Sequence, residues 1–162
     1  MNLFTGESAD GFFGGEVPGA VRELLHQAAA ARPGDRAALL WTAQAIAPDN
    51  LAVYYALYKH HAGQRELELA ERAAERGLAE AARQAGIDAE GRPLASGDAA
   101  PDFGANGPAR FWLFTQKALA FIHLRSGRLA QARERLARIE RLGPDARVGD
   151  DVLSALLKAA GS

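Results

Sequence analysis

Cysteine is absent from the 162 residues. Disulfides, thiolate nucleophiles and thiolate metal ligation are therefore excluded. An excess of charge of either sign is missing too: 19 basic against 20 acidic residues leave a net charge of −1. That balance exerts no global pull on nucleic acid or an anionic membrane, and neither is expected as a partner. No apolar run is long enough to span a bilayer. The opening MNLFTGESADGFFGGEVPG has no basic segment followed by an apolar one, so it does not read as a secretory signal, and the cytoplasm is the expected location. β-branched residues are scarce and never alternate with polar ones, which argues against strands. What is present, 48% hydrophobic and 24% charged residues, suits a folded domain with a core.

Residues 1–16 hold four glycines and three phenylalanines without periodicity and read as an irregular arm, in which Phe4, Phe12 and Phe13 are either a loose tail or a pin against the helices. A helical domain is expected over 17–162. Pro18 suits a first helical turn, and Val21, Leu24, Leu25 and Ala28 form one stripe. After a break at Arg32-Pro33-Gly34-Asp35 a second helix carries Ala38, Leu39, Trp41, Thr42 and Ile46. It stops at Pro48, with Asn50 placed to cap a third helix over about 51–62. A fourth, about 65–85, has Leu67, Ala70, Ala74, Gly77, Leu78 and Ala81 on one side and charge on the other. Residues 86–108, crowded with Gly, Pro and Asp, lose all period and read as a packed, functional or disordered loop. Helix five starts near Ala109, helix six follows Gly127, and a short last helix is expected over about 149–160.

The segments LYKHHAGQRELELAERAAERGL and AFIHLRSGRLAQARERLARIERLGP repeat one pattern of helix, glycine-containing turn and helix with internal small residues. The second resembles a tetratricopeptide repeat. Gly127 falls on the turn glycine, Leu129 on the hydrophobic position after it, Ala132 on the small residue of the helix crossing, Leu136 and Ile139 on later positions, and Pro144 on the terminator. Leu119 and Ala120 match the Leu-Gly pair of the first helix, while Ile139 and Gln116 depart from the usual alanine and tryptophan. In the first segment Pro48, Tyr54, Leu57 and Ala70 match, Gly63 sits two residues away from the turn position, and Gly77 replaces an alanine. The resemblance implies an all-α stack of antiparallel hairpins, about three degenerate repeats and a C-terminal cap, with a concave protein-binding face. The runs APDNLAVYYALYKHH and GPARFWLFTQKALAFIHLRSG also resemble small repeat proteins associated with nitrogen fixation. That resemblance implies an accessory or assembly role and a nitrogenase component as partner.

On this alignment Tyr55, Lys59, Phe114, Lys117, Phe121 and Arg125 point into the groove, combining aromatic bodies with cationic tips. The competing reading makes Phe114 and Phe121 core. Trp41 and Trp112 are expected in the core. His60 and His61 diverge by about 100° on a helix, so joint chelation and metal binding are not expected. His123, aligned with His61, reads as packed. Glu66, Glu68, Glu71, Glu75 and Glu80, and the arginines 128, 133, 135, 138 and 141, read as solvated faces. No nucleophile context, phosphate loop or carboxylate pair appears, so neither an enzyme nor a cofactor is expected. The chain reads as a protein-binding adaptor or assembly chaperone. The alternative is a small helical enzyme or ligand-binding domain with Asp98, Asp102 and Asn106 under the 86–108 loop.

Overall fold

The computed structural model describes residues 17–104 and 107–142. The arm, the expected last helix, Pro144 and Asn106 lie outside them. Among the described residues the protein is all-α: α1 (Gly19–Ala30), α2 (Pro33–Ile46), α3 (Leu51–Gly63), α4 (Leu67–Ala85), α5 (Gly107–Arg125) and α6 (Leu129–Glu140). No described helix is long and apolar enough to cross a membrane. The chain forms two compact units, Met1–Glu80 and Ala81–Ser162, and α4 runs through the division.

In the first unit Pro33 does not merely break the chain; it occupies the first turn of α2, where its missing N–H is an orphan in any case. Arg36, one turn on, donates from Nε to the Ala28 carbonyl at 2.9 Å and from Nη2 to the Ala31 carbonyl at 3.0 Å. It thereby closes the end of α1. The buried residues of α2 are Leu40 and Ala43, whereas Ile46 is 53% exposed. The stripe expected through Ile46 is thus rotated from the one the tertiary packing selects. α3 is buried on nearly every side, from Leu51 through Tyr58 and at His60 and His61. Asn50 stands at its N-cap without a side-chain capping bond. The Tyr54 hydroxyl donates to the Pro48 carbonyl and accepts from Gln44 Nε2, fixing the α2–α3 turn. The buried positions of α4 within this unit, Ala70, Ala73, Ala74 and Gly77, are all small, as close helix approach requires.

In the second unit α5 packs along α6; the buried residues of α5 include Phe111, Trp112, Gln116, Leu119, Ala120 and His123, and those of α6 are Ala132, Leu136 and Ile139. The helix begins at Gly107, two residues before the expected start. The first residues of the loop from 86 are held in place. Ile87 and Pro93 form an isolated antiparallel bridge, and Asp88 Oδ1 accepts the N–H groups of Glu90 and Arg92 at 2.8 and 2.9 Å. Those bonds, the Arg92 one foremost, lower the Asp88 pKa below its ordinary value. Gly91 (φ +83°) lies so close to the indole that a Cβ there would be 3.0 Å from Trp112 Cη2. Phe103 stacks obliquely on the same ring, centroids 5.6 Å apart. The Glu90 carboxylate accepts from Arg138 Nε and Arg141 Nη2, each at 3.2 Å. Packing thus describes residues 86–93 and Phe103, whereas residues 94–100 are exposed.

Candidate functional site

The turns after α3 and α5 have the same hydrogen bonding. Glu66 N donates to the His61 carbonyl and Arg65 N to the Ala62 carbonyl; Arg128 N donates to the His123 carbonyl and Gly127 N to the Leu124 carbonyl. Each pattern needs one left-handed residue, and these are Arg65 at φ 59° and Gly127 at φ 77°. The two-residue displacement of Gly63 in the sequence thus marks Arg65 as the residue in the glycine position.

On these turns sit two matching polar centres. His61, 1% exposed, accepts from the Trp41 indole N–H at Nε2, 3.0 Å. An indole only donates, so Nε2 carries the lone pair and Nδ1 the proton, which is directed at Glu66 Oε1 3.1 Å away. His123, 3% exposed, accepts at Nε2 from Arg135 Nε at 3.0 Å, and Arg135 Nη1 also donates to Gln116 Oε1 at 2.7 Å. The arginines of α6 are therefore not merely a solvated face: Arg135 turns inward, and Arg138 and Arg141 hold the loop. Trp112 is fully buried as expected, but Trp41 is only half-buried, with the Arg76 guanidinium 5.7 Å over its ring. No local sequence signal pairs Trp41 with a histidine twenty positions on; only the packing of α2 on α3 does.

The six residues expected to line a groove divide between the units. In the second, Phe114 (40% exposed), Lys117, Phe121 (38% exposed) and Arg125 follow one another along one face of α5. The Arg125 guanidinium lies 5.7 Å from the Phe121 ring centroid. Neither phenylalanine is fully buried. In the first unit Lys59 Nζ lies 5.7 Å over the Tyr55 ring, but Tyr55 itself is 4% exposed and packs edge-on against Tyr58. Its body contributes to the interior, and Lys59 is the reachable member of that pair. Asp98 and Asp102 are exposed, and Asp102 Oδ1 accepts from Gly104 N at 2.9 Å; Asn106 falls outside the described residues.

The adjacent histidines depart most from expectation. The separation on a helix fixes the Cα–Cβ directions, yet the rings of His60 and His61 converge to 5.0 Å between centroids. Both nitrogens of His60 are buried without a hydrogen-bond partner. Burial first, then His61 and Arg36, lower its pKa below 6.5, partly opposed by Glu66. Compared with protein-family models, curated proteins and solved structures, the chain matches none.

Proposed function

We propose that this protein is a non-catalytic adaptor or assembly factor of the tetratricopeptide type, and that the outward face of α5 receives its partner. The observation that carries this reading is the row Phe114, Lys117, Phe121, Arg125, two large aromatic side chains more than a third exposed with a cation after each. Single exposed hydrophobics are ordinary, but a spaced pair on one helix face, interleaved with cations, supplies both apolar area and charge recognition. The complementary partner is an acidic segment with apolar anchors, laid along the helix. In the first unit Lys59 lies over the buried Tyr55 ring and offers a cation alone. A nitrogenase component is the first partner to try, because the sequence resemblance implies it.

The test is capture on the immobilised full chain. Replacing both Lys117 and Arg125 by Glu should weaken capture of an acidic partner at least about tenfold while leaving the far-ultraviolet circular dichroism intact. Phe121→Ala should weaken it by a comparable factor. Undiminished capture by both variants removes the α5 face from the binding surface.

A further inference from the structure

We propose that His60, His61 and Glu66 form a binding site for a first-row divalent transition metal, with zinc as the reference ion, at the end of α3. Their ligand atoms already lie within 4.8 Å of one another. The 3.1 Å between His61 Nδ1 and Glu66 Oε1 is the separation of two donors held at about 2.0–2.1 Å from one ion. The implied angle at the metal lies between a right angle and the tetrahedral one. A tetrahedral edge is roughly 3.3–3.4 Å at such bond lengths, so atoms within 4.8 Å of one another need to close by at most about 1.5 Å to complete the set.

His60 is the independent observation. It is 98% buried, given its 2% exposure, and neither ring nitrogen has a hydrogen-bond partner. The large majority of buried side-chain polar atoms in folded proteins have a hydrogen-bond partner. A neutral imidazole whose lone pair meets no donor is what a ligand set looks like without its ion. Burial, assisted by His61 and Arg36, favours that neutral ring. Two imidazoles and one carboxylate are the donors zinc accepts with a fourth position left to solvent. Glu66, with its side chain 46% exposed, opens the site to solvent.

Two features oppose the ion, and their size decides the outcome. Arg36 lies close enough to affect His60, but its guanidinium is committed to the Ala28 and Ala31 carbonyls, and the Glu66 carboxylate offsets its charge. Trp41 is the sharper conflict. A metal on Nδ1 of His61 moves the ring proton to Nε2, where it faces the indole N–H, donor against donor. That lost hydrogen bond weakens binding by about a factor of ten, whereas three protein ligands supply several powers of ten. Trp41 therefore attenuates the site and reports on it, because its indole must release His61 when the ion binds.

The experiment titrates the full chain with zinc alone, read by calorimetry and by tryptophan fluorescence. One ion per chain is expected, with a dissociation constant in the micromolar range or tighter. His60→Ile and Glu66→Gln should each weaken it at least about tenfold. Trp41→Phe should tighten it by about tenfold, an effect that a merely structural role for the indole would not produce. His26→Ala, at an exposed histidine, should change nothing. Absence of binding at about 0.1 mM free zinc overturns the proposal, as does binding that survives both His60→Ile and Glu66→Gln. Glu66 is a surface side chain, so Glu66→Gln decides the matter even if His60→Ile perturbs the fold.

Discussion

At the α3–α4 turn the left-handed residue is Arg65 and the buried histidine receives an indole; at the α5–α6 turn the corresponding residues are Gly127 and an arginine from α6. Backbone hydrogen bonding is the same in both. The two turns therefore share their backbone geometry and differ in the side chains that line them. Around His123 the inward donor is a cation that also donates to Gln116 Oε1. Around His61 it is a neutral indole, and the residue after the left-handed position is the acidic Glu66, where the other turn has Arg128. His60 likewise stands where the second hairpin has the equally buried Ile122. The first turn pairs its imidazole with an indole and a carboxylate, and the second pairs its imidazole with a guanidinium.

Substitutions at matched positions probe how far the two turns differ. The largest effect is expected from Arg135→Ala, which leaves Gln116 Oε1 and His123 Nε2 buried without their donor; urea unfolding should show a loss of about 2–4 kcal/mol. Trp41→Phe withdraws a single neutral bond and should cost only about 1 kcal/mol. Equal losses would mean that the two centres contribute alike to stability. Next come the left-handed positions. Gly127→Ala should destabilise by about 1–2 kcal/mol, because it introduces a Cβ where the backbone disfavours one. Arg65→Ala should be close to neutral, and Arg65→Gly should raise the thermal midpoint by an increment worth up to about 1 kcal/mol. Loss of stability in Arg65→Gly would show that the arginine side chain holds the turn by contacts of its own.

The smallest effect is one of pH. The His60 pKa is lowered below its ordinary 6.5 in the folded chain, by burial and by the His61 and Arg36 neighbours against Glu66. The unfolded chain therefore binds more protons in the window beneath that value, and stability contributed by the neutral ring is fully present above it and lost as pH falls through it. The urea midpoint should decline from neutrality toward pH of about 5, and His60→Ile should flatten that decline while leaving the neutral-pH midpoint little changed. An unaltered decline in His60→Ile assigns the acid sensitivity to other groups.

Much of the helix pattern is legible in the residues themselves. Gly127 marks a left-handed turn position directly, and Ala70 and Ala132 are small residues that are fully buried. The displaced Gly63 concealed a left-handed Arg65, which no propensity suggests. The exposed row on α5 follows from its spacing, since residues three and four apart share a helix face. The burial of Tyr55 does not, because α3 is covered on nearly all sides and an all-round buried helix has no polar face to orient it.

Residue order alone dictates the absence of thiol chemistry, the helical character of the described residues, the places of most of their helices and the small residues on their buried faces, because these follow from local sterics and from the period of apolar residues. Packing in three dimensions was needed to bring Trp41 to His61, to turn Arg135 inward, to gather two arginines on Glu90, and to bury His60 with its nitrogens unsatisfied. Those outcomes depend on which residues from distant helices and loops share a desolvated space, and hydrogen-bond partners across such a space leave no periodic trace in the chain.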